Sequence, residues 1–305
     1  MSKNFKIGFD YGGTKIEGIL LDNSGIEVDR KRVKSNKDYK SDIKTIAQLV
    51  RDFEEKAKTN CSVGVGIPGF SSKETGLLNN ANALWLNNKS FKKDLEILLN
   101  KEVRIMNDAN CFTLSESIDG AGQNYKSVFG IIIGTGLGAG LYYNKQIIEG
   151  VNQIAGDWGH QPLPYPSKDE INLNIKCEVP NCGRKLCSEQ FLSGAGFEKN
   201  FNNKYKTNYT SRQIIDLDIK GDKNANKELS LYEDRLSRLI AVMIGIFDPE
   251  VIIFGGGMSN TERLYKNIPK LIPKYTFSDK VRNKILKNKH GDSSGVRGAA
   301  WLWNN

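Results

Sequence analysis

The chain has 305 residues, 39% hydrophobic and 26% charged, with 44 Lys+Arg against 35 Asp+Glu and a formal charge of +9. That length allows two ordinary domains and a large core, and no apolar run approaches the roughly 20 residues needed to span a bilayer. The basic residues are scattered, with neither a helix-turn-helix nor aromatic–basic interleaving, so neither nucleic acid nor membrane is an expected partner; the opening MSKNFKIGFD runs straight into a strand pattern, which predicts no signal peptide and a cytoplasmic protein.

Residues 6–10 (KIGFD) alternate and predict a strand. Tyr11-Gly12-Gly13-Thr14 is a tight glycine turn, residues 15–22 (KIEGILLD) return as a second strand, and Asn23-Ser24-Gly25 turns into a third over 26–33. This is an antiparallel meander. Its first turn suits an ordinary hairpin or a phosphate site. Two glycines let backbone N–H groups line a concave surface for phosphate oxygens, and the Thr14 hydroxyl adds a donor. Asp10, at the strand end, could hold a hydrated Mg²⁺ beside them.

Residues 42–58 carry apolar side chains at helical spacing, and 62–67 (SVGVGI) read as a buried strand stopped by Pro68-Gly69. Residues 79–88 (NNANALWLNN) form a polar loop with an exposed-looking Trp85. Asn side chains such as Asn82 suit sugar hydroxyls, because an amide both donates and accepts. Residues 91–99 predict a short helix. VRIM at 103–106 is a buried strand, and NDANC at 107–111 sits where that strand meets a helix running to about residue 119. Asn107 and Asp108 there suit either a helix cap or ligand chemistry at a strand's carboxyl end.

The opening pattern then returns. VFGIIIGTGLGAGLYYNKQIIEG, from 128 to 150, aligns with KIGFDYGGTKIEGILLDNSG, Gly134 on Gly12, Gly136 on Thr14, Gly140 on Gly18 and Asn144 on Asp22. An internal repeat of this kind predicts two similar domains, with Gly134-Thr135-Gly136 as a second phosphate turn facing the first across a cleft. Ile132 stands in the place of Asp10, so the metal-side carboxylate belongs to the first copy alone.

Asp157 and His160 follow in a Gly- and Pro-rich loop, ahead of Cys177, Cys182 and Cys187. One His with three Cys can bind tetrahedral Zn²⁺, and without an export signal such a cluster favours metal over disulfide. Cys61 and Cys111 lie in apolar stretches and read as core thiols. Glu189 starts a helix containing Phe191, Leu192 and Phe197. A longer helix spans 226–247, and 251–254 is a buried strand before Gly255-Gly256-Gly257, where a flat ring could lie on backbone; a helix starts at about 259. GDSSGVRGAAWLW, from 291 to 303, reads as a loop entering a small-residue helix.

Together, Asp10 to Thr14, Asn107-Asp108, Gly134 to Gly136 and Gly255 to Gly257 resemble the actin, hexokinase and Hsp70-type ATPase superfamily. NANALWLN, NDANC, IIGTGLGAG, WGHQPLP, the cysteine cluster, GGGMSN and HGDSSGVRGAAWLW resemble, more narrowly, the ROK family of bacterial sugar kinases, its fructokinases first and its N-acetylglucosamine kinases next. The resemblance implies an α/β fold of two actin-like (ribonuclease H-like) domains with mixed five-stranded sheets flanking an ATP/sugar cleft. The domains would be 1–120 and 121–293, with the His/Cys loop at 156–190 in the second and a C-terminal helix, 294–305, packing back on the first. It implies a fructokinase using ATP and Mg²⁺, with structural Zn²⁺, acting as a homodimer. N-acetylglucosamine, glucose or mannose are alternative sugars, and an inactive sugar sensor is an alternative class.

Residue by residue, the resemblance makes Asp108 the base, and Asn82, Asn107, Asp157, His160 and Glu189 sugar ligands. Gly12, Gly13, Thr14 and Lys15, with Gly134, Thr135 and Gly136, become the phosphate side, and Gly255, Gly256 and Gly257 the adenosine side. His160, Cys177, Cys182 and Cys187 become the zinc set. Two departures stand out. The family has Glu where this chain has Asp157. Its motif C-x-C-G-x-x-G-C-x-E is met at Cys182-Gly183 and Cys187-x-Glu189, but Asn181 precedes Cys182 with no first cysteine and Leu186 replaces the second glycine. Cys177 is then the replacement ligand.

Overall fold

The computed structural model describes residues 5–178, 182–291 and 294–304. The first elements are β1 (Lys6–Tyr11), β2 (Lys15–Leu21), β3 (Glu27–Lys34), α1 (Tyr39–Ala57), β4 (Ser62–Ile67), the short pair β5 (Phe70–Ser71) and β6 (Leu78–Asn79), α2 (Phe91–Leu99), β7 (Val103–Asn107) and α3 (Asp108–Ile118). The hairpin pattern then recurs as β8 (Ser127–Ile133), β9 (Leu137–Tyr143) and β10 (Gln146–Ile147). The helices α4 (Lys168–Asn172), α5 (Glu189–Leu192), α6 (Gly194–Tyr205), α7 (Ser211–Ile219) and α8 (Lys223–Phe247) lead to β11 (Val251–Gly255), α9 (Glu262–Leu271), β12 (Lys284–Lys287) and α10 (Ser294–Trp301). Two compact units result. One comprises Met1–Asn124, Gly140–Gly156 and Lys289–Asn305; the other comprises Tyr125–Ala139 and Asp157–Asn288.

The first sheet runs β3-β2-β1-β4-β7 and the second β10-β9-β8-β11-β12. In the first, β1 pairs antiparallel with β2 and parallel with β4. In the second, β8 pairs parallel with β11, and β11 with β12. The two mixed five-stranded sheets therefore repeat one topology, as the internal repeat predicts. When Lys6 is laid on Val128, the limits of β2 fall on those of β9.

Alternation in β1 sends Ile7, Phe9 and Tyr11 into a core with Ile46, Val50 and Phe53 of α1, each fully or almost fully buried. Burying each such side chain contributes roughly 1.5–3 kcal/mol. Asp38 caps α1, its carboxylate accepting the Ser41 N–H at 2.9 Å. The opposite face of β1 carries Gly8, and α10 lies directly on it. A Cβ at Gly8 would stand 2.2 Å from the Val296 carbonyl oxygen, and one at Gly64 of β4 would stand 1.9 Å from that of Ala299. Helix and sheet approach this closely because those positions have no side chain.

Several local expectations need correction. Trp85 is half-buried, and its Nε1–H points to the Tyr11 hydroxyl at 3.4 Å; Leu84 is the large apolar side chain of that loop that is exposed, at 64%. The loop also contains a 3-10 turn, Leu84–Leu86. The helix expected to run from Glu189 through Phe197 is two helices. Ser193 breaks it with extended backbone and caps α6 by accepting the Gly196 N–H at 2.9 Å. After the three glycines, a 3-10 turn (Gly257–Asn260) precedes α9, which starts at Glu262. No described helix is long and apolar enough to cross a membrane.

Candidate active site

In the first unit, the β1–β2 turn is closed by a bond from Gly12 N–H to the Lys15 carbonyl, 3.0 Å. Thr14 is exposed, and Gly13 lies under the sugar-loop candidate: a Cβ there would meet Ala83 at 3.7 Å and Trp85 at 3.9 Å. Asp10, beside the turn, accepts no hydrogen bond from any described residue. Burial raises its carboxyl above the ordinary value, Lys15 opposes this and Glu17 adds to it. A carboxylate without a donor, in a site that disfavours its charge, fits a cation.

Asn107 and Asp108 occupy the end of β7, as the sequence implies. The amide oxygen of Asn107 caps α3, accepting from Ala109 N–H (2.9 Å) and Asn110 N–H (3.3 Å), and its Nδ2 donates to the Gly69 carbonyl at 2.9 Å. Asn107 thus pins the junction from which Asp108 projects. One Asp108 oxygen accepts the Ala109 N–H at 2.8 Å. Burial, reinforced by the negative charge of Asp10, pushes its carboxyl up to about 6. Asn107 therefore caps the helix, and the Asp108 carboxyl is held in the range where a group can accept a proton near neutral pH. Asn82 is exposed, on a loop closed by Asn87, whose amide bonds both the N–H and the carbonyl of Ala81.

In the second unit, the Gly134-Thr135-Gly136 turn is gripped from two sides. Gly194 N–H donates to the Gly134 carbonyl at 2.7 Å, and the Glu189 carboxylate accepts the Leu137 N–H at 2.8 Å. Gly256, with φ +77°, touches the turn's base, where a Cβ would stand 2.5 Å from the Ile133 carbonyl. Only glycine fits there, and it brings the Gly255 to Gly257 stretch beside the phosphate-turn candidate. Gly257 has open space around it. Sequence reasoning assigned Glu189 to a sugar; the structure shows it also bracing this turn.

His160, Cys177, Cys182 and Cys187 converge, their ligand atoms all within 4.8 Å of one another. His160 Nδ1 lies 3.6 Å from Cys187 Sγ and 4.0 Å from Cys177 Sγ. Cys177 is brought round by a small antiparallel ladder: Cys177 N–H bonds the Arg184 carbonyl and Leu186 N–H the Ile175 carbonyl, each at 2.9 Å. Asn181, the residue before Cys182, lies outside the described residues. Asp157 is exposed and hydrogen-bonds no described residue, while its neighbour Trp158 is buried edge-on against Phe129.

The family model described as the ROK family matches residues 6–305. The chain belongs to the ROK family. It is 38% identical over 296 residues to an N-acetyl-D-glucosamine kinase of Vibrio atlanticus (strain LGP32), covering 97% of this chain and 98% of that one. Among solved structures, it resembles a ROK hexokinase from Thermus thermophilus (TM-score 0.85, 22% identity, 97% of this chain and 96% of that chain). It also resembles a ROK family glucokinase from Streptomyces griseus in complex with glucose and AMPPNP (TM-score 0.79, 24% identity, 98% of this chain and 99% of that chain).

As a ROK chain it carries one residue that the motif reading passed over. Glu17 faces Asp10 across the β1–β2 pair and is completely buried, yet it lies only two residues beyond Lys15. The signal was in the strand: KIEGILLD puts an acid at an inward position.

Proposed function

We propose that this ROK chain is an ATP-dependent sugar kinase whose first candidate substrate is N-acetyl-D-glucosamine. The single observation behind catalysis is Asp108, a carboxylate at a strand end whose proton affinity burial and Asp10 have moved towards neutrality. An alcohol is a weak nucleophile. As its oxygen bonds the γ-phosphorus and the bond to the ADP oxygen breaks, Asp108 accepts the hydroxyl proton. Asn107 holds the junction, and the glycine turns of both repeats supply N–H donors for phosphate oxygens.

Asp10 would hold Mg²⁺, which neutralises phosphate charge when bound. His160, Cys177, Cys182 and Cys187 would hold Zn²⁺. Four protein ligands leave no open position, so its role would be to fix the loop carrying Asp157, His160 and Glu189. Burial and the adjacent Cys177 raise the Cys187 thiol far above its ordinary range, and a divalent cation is what makes such a thiol a thiolate.

The sequence reading put fructose first. The identity to an N-acetyl-D-glucosamine kinase over nearly the whole chain supports the alternative better than the motif resemblance that put fructokinases first. ADP release should be measured with N-acetylglucosamine, glucose, mannose and fructose. The highest kcat/KM is expected for N-acetylglucosamine. A preference for fructose returns the first reading, and no turnover on any hexose favours a sugar sensor.

A further inference from the structure

The face of the first sheet that carries Asp10 bears a row of charge that the phosphotransfer scheme leaves unused. Asp10 of β1 pairs with Glu17 of β2, and Glu17 with Arg32 of β3. Glu17 has no solvent exposure. Its carboxylate binds three cations: Lys15 Nζ at 3.1 Å, Arg30 Nη1 at 3.3 Å, and Arg32 through Nε at 3.1 Å and Nη2 at 2.8 Å. Two carboxylates directly opposite each other in adjacent strands repel. Here that repulsion persists, and all three cations sit on Glu17 while none forms an ion pair with Asp10. Lys15 and Arg32 nevertheless lie near enough to Asp10 to act on its charge.

We propose that Glu17 is a positioning residue for the nucleotide's metal: by holding Lys15, it keeps that ammonium off Asp10 and leaves the Asp10 carboxylate open to Mg²⁺ beside the Gly12-Gly13-Thr14 turn. The inference rests on the kinase reading. An ammonium released from Glu17 remains near enough to Asp10 to act on its charge, and a Lys15–Asp10 pair competes directly with a divalent cation. Glu17 thus takes up the Lys15 cation beside the turn and leaves the Asp10 carboxylate without an ion pair among the described residues. With no solvent exposure of its own, it would act through the lysine it holds.

The test is calorimetric binding of AMPPNP with and without Mg²⁺ to wild type, Glu17→Gln, Glu17→Asp and the double variant Glu17→Gln/Lys15→Met, alongside thermal melts. In wild type, Mg²⁺ tightens AMPPNP binding. Glu17→Gln should raise the Mg²⁺ concentration needed for that gain by about 10- to 100-fold, the usual effect of removing a residue that orients a metal ligand. Binding without Mg²⁺ should persist, because the freed Lys15 still meets phosphate. The double variant should recover the Mg²⁺ response, and Glu17→Asp should retain most of it. A Glu17→Gln protein with a wild-type Mg²⁺ response, or a double variant as impaired as Glu17→Gln, overturns the assignment. Wild type that fails to bind AMPPNP with Mg²⁺ overturns the kinase reading first, and this inference with it.

Discussion

Asp108 carries opposite consequences for activity and stability. Its carboxyl is raised to about 6 by burial and by Asp10, so between the ordinary carboxylate range and pH 6 the folded chain holds a proton that the unfolded chain has lost. Stability is therefore lost as pH rises through that window, and the full cost is present above it. Asp108→Asn removes the cost. The variant should gain up to about 3 kcal/mol at neutral pH while kcat falls about 100-fold or more. Melting curves and initial rates on one preparation check both, and a variant that is less stable and fully active removes Asp108 from its role. In wild type, kcat/KM should fall below pH 6 by about tenfold per pH unit as the base is protonated.

Leu186 is the second residue with an expectation attached. The ROK motif has glycine there, and Leu186 adopts φ +54°, a left-handed conformation that costs a residue with a Cβ roughly 1–2 kcal/mol. Leu186→Gly should relieve this. Part of the gain is offset by greater freedom in the unfolded chain, so a net rise of about 0.5–1 kcal/mol in unfolding free energy is expected, measured by denaturant titration. An unchanged or lowered value means that the leucine side chain's packing outweighs the strain.

Among the elements, the cysteine loop shows why spacing alone left the ligand set open. Cys177 lies ten residues before Cys187, too far to be read as part of one knuckle, and only the ladder linking Cys177 to Arg184 and Ile175 to Leu186 brings it back. Purified protein should carry about one zinc per chain. A chelator or Cys177→Ser should remove it, lower the melting temperature and raise the KM for sugar more than that for ATP, because His160 lies in the loop the metal fixes. Zinc retained by Cys177→Ser would take that residue out of the set. By contrast, the strands and helices bearing Asp10, Asp108 and the glycine turns were legible, because alternation and glycine placement are local. The break at Ser193 was not: its cap on Gly196 can be separated from a continuous helix only once the packing is known.

At the scale of the whole molecule, the repeat carried the architecture. One glycine-hairpin pattern written twice yields two sheets of one topology, since each copy must bury the same apolar face. Charge placement was less legible. Glu116, fully buried in α3, accepts N–H bonds from Ala121, Lys289 and His290 and the Ser294 hydroxyl. Asp119 nearby binds His290, Arg297 and the Trp301 indole. Burial would raise Asp119, and the bonds from His290 and Arg297 outweigh it and hold its carboxyl low. Apart from Ala121, these partners lie more than 170 residues away in sequence, and no periodicity signals them.

That distance has a bearing on how the chain is made. Helix α10 covers Gly8 and Gly64, and a Cβ at its own Gly298 would stand 1.7 Å from the Cys111 carbonyl. The strands β1 and β4 therefore wait for α10, made more than 220 residues later, before one side of their sheet is sealed. Domains usually mature in the order of their synthesis; here the first unit is completed only once the second has been made and α10 follows it. Nascent protein stalled short of Ser294 leaves that side of β1 and β4 uncovered for the whole length of the pause, and chaperone capture should be concentrated there.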